Sequence, residues 1–192
     1  MNKIPITAII LTKGGYPLDD IVDSLQYFDQ VIIADNSKLR EGLKVYLRYV
    51  AAFSETARHN IVYVQDDDAL VDVRAVVDQW REYMAPMVCN MPPDRRAEYK
   101  RWPGHISLVG WGTIFNRHVV KANLDRFLKR WPIDELFLRE CDRVATYLTP
   151  HVDVQVNFKH LERAHGLDRM GREARHGNDL QEICIRLEKL RS

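Results

Sequence analysis

Three short apolar runs in the first third of the chain each stop at a polar cluster. Ile4–Leu11 ends at Thr12-Lys13-Gly14-Gly15, Val31–Ala34 at Asp35-Asn36-Ser37, and Ile61–Val64 at Gln65-Asp66-Asp67-Asp68. Runs this short, rich in β-branched residues, read as buried strands. Between them lie two helical patterns. Leu18, Ile21, Val22, Leu25 and Phe28 share a face after Pro17, with Asp19 and Asp20 suiting a first turn, and Leu43, Tyr46, Leu47 and Val50 share another. Strand–helix–strand–helix–strand alternation implies a parallel sheet with right-handed crossovers, whose ligands collect at the carboxyl ends of the strands. All three polar clusters fall at such ends.

The third cluster carries the most chemistry. Three consecutive acids cannot continue a buried strand, because unpaired buried charge is strongly disfavoured. The strand must therefore surface there. In an extended chain Asp66 and Asp68 point one way and Asp67 the other. Two hard oxygen ligands on one face suit Mg²⁺ or Mn²⁺. The competing reading is a solvated turn after a strand. A calcium loop of the EF-hand type is excluded, since neither the turn glycine nor the closing glutamate follows.

Downstream, Val73, Val76, Val77 and Trp80 mark a third helix and Met87–Met91 a fourth strand. Residues 92–104 form a long, basic, proline-bounded loop, a length usually reserved for functional or mobile segments. Ile106–Val109 and Thr113–Phe115 flank Gly110-Trp111-Gly112 and read as two short strands around a tight turn. A helix follows over Val119–Leu128, another from Asp134 through Leu148, and a last strand over Val152–Val156. Residues 157–178 are polar and rich in Arg and His, and Leu180, Ile183, Leu187 and Leu190 define a closing helix that packs on the body or on a partner.

The 192 residues suffice for one substantial core. A formal net charge of +1 gives no special support to a polyanionic partner. No apolar run reaches membrane-spanning length, and the N-terminal stretch reads as a first strand rather than a secretion signal. Cys89, Cys141 and Cys184 are few, odd in number and scattered, which fits buried thiols in a reducing compartment and a cytoplasmic location.

The ordered set ITAIILTKGG, VIIADNSK, VYVQDDDAL, GWGTIF and DELFLRECDR resembles the GT-A glycosyltransferases, closest to the group that includes bacterial polysaccharide and cell-wall sugar transferases. The second-strand motif departs from the usual pattern by lacking a glycine after Asp35-Asn36. The resemblance implies a Rossmann-like three-layer α/β/α sandwich with a mostly parallel central sheet. It implies a catalytic domain over residues 1–160, with residues 161–192 forming a lid segment and helix packed on the same domain. The implied activity is metal-dependent transfer of a sugar, with inversion, from a nucleoside-diphosphate sugar to an acceptor hydroxyl. A sugar-phosphate nucleotidyltransferase and a non-catalytic nucleotide-sugar-binding domain are the alternatives.

The same resemblance implies roles for single residues. Thr12, Lys13, Asp35, Asp66 and Asp67 would contact the nucleotide sugar, joined by Gly110, Trp111 and Gly112 and by Arg169 closing from the lid. Asp66, Asp68 and His160 would hold Mn²⁺ or Mg²⁺. Asp134, Glu135 and Asp142 are candidates for the base that takes the acceptor proton. Each has an ordinary alternative: Asp35 as a turn cap, Asp134 and Glu135 as first-turn acids favoured by the helix dipole, Asp142 as surface charge, Trp111 as a core residue. The acceptor stays open among glycan, metabolite, protein and modified nucleic acid, and a homodimer stands beside a monomer.

Overall fold

The computed structural model describes residues 3–38, 42–93, 96, 105–161 and 178–190. Its centre is a six-stranded sheet built from β1 (Ile4–Thr12), β2 (Phe28–Asp35), β3 (Ile61–Asp66), β5 (Met87–Asn90), β6 (Trp111–Asn116) and β7 (His151–Val154). The order across the sheet is β2-β1-β3-β6-β5-β7. β1 pairs parallel with β2 and β3, and β5 with β7; β6 alone runs against its neighbours. β1 is buried from Ile6 to Thr12 without alternation, as expected of a strand covered on both faces.

Helices supply both covers. On one face pack α2 (Leu47–Phe53), α4 (Arg117–Leu128), α5 (Glu135–Leu148) and a final helix α6 over residues 178–188. Tyr49, Leu124, Phe127, Phe137, Cys141 and Ile183 meet Ile9, Val62, Val64 and Phe115 there. On the other face α1 (Asp19–Ser24) and α3 (Val73–Tyr83) bring Ile21, Leu25, Val76 and Val77 against Ile6, Ile10, Tyr63 and Ile114. The architecture is a three-layer α/β/α sandwich around a mostly parallel sheet. The closing helix packs on the body, with Ile183, Cys184 and Leu187 buried in the first cluster. All three cysteines are free and buried. Among the described residues no helix is long and apolar enough to cross a membrane.

Several elements depart from the sequence pattern. The first helix is only six residues, because Phe28 leaves its face to open β2. A short 3₁₀ turn, Lys44–Tyr46, precedes α2. Ile106–Val109 is not a strand; the segment is buried without regular structure, so its apolarity comes from packing rather than pairing. Gly110-Trp111-Gly112 is accordingly no hairpin turn. Val64 pairs with Thr113 but Gln65 with Trp111, which leaves Gly112 as an extra residue at φ +97, a β-bulge conformation that glycine tolerates. A second, two-stranded sheet joins β4 (Ala69–Val71) to β8 (Phe158–His160), both only three residues long.

Two local features carry measurable consequences. Asp134 caps α5 by accepting from the Phe137 N–H at 2.8 Å, and its other oxygen accepts from Arg186 of α6 at 2.7 Å. Burial works to raise the Asp134 carboxyl, but the Phe137 N–H and Arg186 outweigh it and hold it below the usual carboxylate value. A group held down in this way contributes stability that is present above its unfolded value and lost as pH falls through the lowered folded one. Asp134→Asn keeps a cap acceptor, so it should cost stability at neutral pH and show a shallower loss on acidification. Urea unfolding at a series of pH values reads both, and equal slopes would mean the pair contributes nothing. Gly110 offers the second case. A Cβ there would lie 2.0 Å from an Asp66 carboxylate oxygen. That side chain is held by a buried arginine, so Gly110→Ala should lower stability by about 1–3 kcal/mol, the usual cost of overpacking, as judged by its denaturation midpoint.

Candidate functional site

The carboxyl ends of β1, β2 and β3 meet at one rim. At the end of β1 the buried Thr12 hydroxyl donates to Asp67 at 2.6 Å and accepts from the Gly14 N–H at 2.9 Å. The Asp67 N–H continues the ladder to the Leu11 carbonyl at 3.0 Å. At the end of β2, Asp35 accepts from both the N–H and the hydroxyl of Ser37, an Asx turn. Gly14, at φ +76, brings the first loop onto the second: a Cβ there would lie 2.7 Å from the Ser37 hydroxyl oxygen. Lys13 is exposed in that first loop.

β3 ends at Asp66, and Asp67-Asp68 form a turn into β4. The strand alternation therefore stops at Asp66, two residues short of the Asp68 that the sequence pattern includes, and the three acids face three different neighbours. Gln65 fixes the turn from beneath: it accepts from the Tyr63 hydroxyl at 2.6 Å and donates to the Ala69 carbonyl at 2.9 Å. Asp67, far from pointing away, is buried against Thr12. Asp68 reaches β8, where one oxygen lies 3.5 Å from His160 Nε2. Its other oxygen is buried with no hydrogen-bond partner among the described residues.

Asp66 faces inward, toward Arg48. That side chain of α2 is only 1% exposed, donates to Asp66 at 2.7 Å and lies 3.4 Å from Asp142 of α5. Asp142 also accepts from the Tyr49 hydroxyl at 2.8 Å. Burial opposes the guanidinium charge, but Asp142 and then Asp66 outweigh it and hold Arg48 firmly protonated. Desolvation pushes Asp66 up to about 7 despite the pull of Arg48, with Asp68, Asp142 and Asp67 adding to the rise. Arg48, Tyr49 and Gln65 are not among the residues that the sequence pattern singles out. A signal existed for Arg48, which stands one turn before Ala52 on an otherwise apolar helix face.

Trp111 caps the other side of the acid turn. Its ring stacks on Phe158 at 5.0 Å between centroids and meets His160 edge-on at 5.7 Å. The Gly110 carbonyl accepts from the Asp66 N–H at 2.6 Å. The structure thus gathers Thr12, Asp66, Asp67, Asp68, Gly110, Trp111, Gly112, Asp142 and His160 around one turn, with Asp35 beside the first loop. Asp134 and Glu135 sit apart at the start of α5. Asp134 is engaged as a cap, and Glu135 pairs with Lys44 and, at 3.1 Å, with Arg139. Arg169 lies outside the described residues, as does most of the basic loop before His105.

A carboxylate oxygen that is buried without a donor, next to an imidazole and two further acids, suits a divalent cation. Asp68 and His160 are the residues that fit one. Asp66 is already engaged by Arg48.

No protein-family profile and no curated protein matches the chain. Solved structures do. A 2-C-methyl-D-erythritol 4-phosphate cytidylyltransferase from Thermus thermophilus is similar over 90% of this chain and 100% of its own, at 15% identity and a TM-score of 0.52. A197 from STIV is similar over 83% of this chain and 87% of its own, at 13% identity and a TM-score of 0.51. A glucosyl-3-phosphoglycerate synthase from Mycobacterium tuberculosis, solved with Mn²⁺ and uridine-diphosphate, covers 89% of this chain and 76% of its own at 13% identity, with a TM-score of 0.48. Likeness at these identities concerns the fold alone: the chain has a GT-A-like, Rossmann-type α/β/α fold.

Proposed function

We propose that the protein is a metal-dependent glycosyltransferase that moves a sugar from a nucleoside-diphosphate sugar to an acceptor hydroxyl with inversion. The observation that carries this reading is Asp68. One of its oxygens has no hydrogen-bond partner among the described residues, and with neighbouring His160 it stands at the rim where three parallel strands end. Mn²⁺ or Mg²⁺ held by Asp68 and His160 would act as a Lewis acid on the leaving diphosphate.

The chain's own residues do the rest. The loops after β1 and β2, with Thr12, Lys13 and Asp35, receive the base and ribose. The Thr12–Asp67 hydrogen bond holds the first of these loops against the acid turn, so that part of the rim is preorganised before a donor arrives. The Gly110 carbonyl and Arg48 fix Asp66, and Gly112 lets the β6 backbone bend close to the turn. Trp111 offers the edge of an apolar face to the sugar. Arg169 would close over the diphosphate, with residues 161–192 serving as lid and closing helix on the 1–160 domain.

Among the three acids considered for the acceptor proton, we assign different work to each. Asp134 is taken up by its cap and by Arg186. Asp142 orders Arg48 beneath Asp66 and is a positioning residue. Glu135 is 67% exposed and, among the described residues, pairs with Lys44 and Arg139; the Lys44 carbonyl accepts from Asn36 just past β2, so of the three acids Glu135 is the one we assign to the incoming hydroxyl. Its partner Lys44 adopts φ +51, a left-handed strain of the kind that gathers at functional sites.

Incubation with a panel of nucleotide sugars and Mn²⁺ tests the class. Slow donor hydrolysis to a nucleoside diphosphate supports transfer. Pyrophosphate-dependent cleavage would point to a nucleotidyltransferase, and metal-dependent binding without turnover to a binding domain. Asp68→Ala should keep its circular dichroism yet weaken Mn²⁺-dependent nucleotide binding by more than the roughly 10–100-fold that outer-shell changes cost; unchanged calorimetric affinity would refute the ligand assignment. Glu135→Gln should lower kcat by about 10²–10⁴, the range for general-base loss, with nucleotide affinity intact. Asp142→Asn, by contrast, should weaken nucleotide binding and stability together.

A further inference from the structure

A second group of metal-type side chains lies at the far edge of the sheet. His151 and Asp153 belong to the edge strand β7, and His105 opens the buried segment that leads into β6. One ligand atom from each lies within 4.8 Å of the other two. Three strand spacings separate β7 from β3, about 14 Å at the usual distance between strands, so this group is apart from the acid turn.

His151 is the decisive member. Its side chain is 2% exposed, and Nδ1 lies 3.1 Å from the Thr149 carbonyl, which can only accept. Nδ1 is therefore the protonated nitrogen, and Nε2 carries the lone pair. That Nε2 is buried with no hydrogen-bond partner among the described residues, and it lies 3.8 Å from an Asp153 oxygen. The His105 ring stacks on His151 at 4.1 Å between centroids, and its Nε2 is 3.2 Å from the other Asp153 oxygen. Zn²⁺ bonds of 2.0–2.1 Å in a tetrahedron set ligand atoms roughly 3.3 Å apart; the 3.2 Å contact matches this, and the 3.8 Å contact would close by about half an ångström around an ion. The outer partners are in place too. Ser107 donates to Asp153, and the Thr149 carbonyl fixes the His151 tautomer, as carboxylate and imidazole ligands require.

We propose that His105, His151 and Asp153 form a site for a Zn²⁺-class cation, separate from the one at Asp68. Two imidazoles and a carboxylate favour a borderline transition metal over Mg²⁺ or Ca²⁺. Three protein ligands leave a fourth position for water. A cation there ties residues 105–109 to the edge strand and so fixes the approach of Gly110 to Asp66.

Co²⁺ and Zn²⁺ titration of the full chain tests this, with visible Co²⁺ absorption and metal analysis as readouts. Work in the Asp68→Ala background separates the two sites, and no donor sugar is needed. The expected result is one equivalent bound in that background, weakened by about 10–100-fold in Ser107→Ala and lost in Asp153→Asn and His151→Ala. His105→Ala alters an exposed side chain and keeps the test open should the buried variants fail to fold; it should abolish the absorption of bound Co²⁺. No binding by the Asp68→Ala protein, or equal binding by the His105→Ala variant of it, would overturn the proposal.

Discussion

The arrangement depends on burying Arg48. A guanidinium taken almost wholly out of water is tolerable only beside compensating charge, and removing one partner of such a buried pair typically costs about 3–5 kcal/mol. Two carboxylates meet that demand from separate elements, Asp66 from the end of β3 and Asp142 from the middle of α5. The cation therefore couples three pieces of structure: α2 that carries it, the strand whose tip forms the acid turn, and the helix that crosses the same face. A planar fork can address two acids at once, whereas a lysine ammonium is a single compact charge. Tyr49, one residue along α2, donates its hydroxyl to one Asp142 oxygen, while the other oxygen faces Arg48 across a 3.4 Å ion pair.

Much of this fold was legible in the chain, and the reason is burial on both faces. β1 and β3 stand out because nearly every residue between two polar boundaries is apolar, as suits strands covered on both faces; β2, at the sheet edge, is read from its run Val31–Ala34 although Ile33 is exposed. Ile106–Val109 shows the limit of that logic. Its side chains are as buried as a strand's, yet they fill the core from an irregular segment, and composition alone does not distinguish the two. β4 and β8 were hidden for the opposite reason, since three residues carry no periodicity to detect.

The site was legible in outline and less so in its connections. That polar clusters would share a rim followed from parallel strands. How the acids would divide their partners did not, because the division depends on where the strand stops. With the turn beginning at Asp67, alternation no longer applies, and a residue expected to face outward closes on Thr12. The acids before and within α5 illustrate a different limit. A carboxylate at a helix start suits catalysis and capping equally well in sequence, and only Arg186, brought from more than fifty residues downstream, shows Asp134 to be held in its cap.

The division of partners also bears on the cation proposed for this rim. Two unit charges about 4 Å apart near a protein surface interact by roughly 4 kcal/mol, so a diphosphate approaching three bare carboxylates would be repelled. Arg48 offsets Asp66, and the Thr12 hydroxyl satisfies an oxygen of Asp67 without cancelling its charge. Asp68 keeps an oxygen with no donor among the described residues and stands farthest along the turn, toward His160. Asp67 and Asp68 thus both keep their charge, and of the two it is Asp68 that has an oxygen without a donor among the described residues. On the proposed reading, an anionic ligand would approach that rim together with a positive ion, which would make binding of the two mutually dependent and centre it on Asp68.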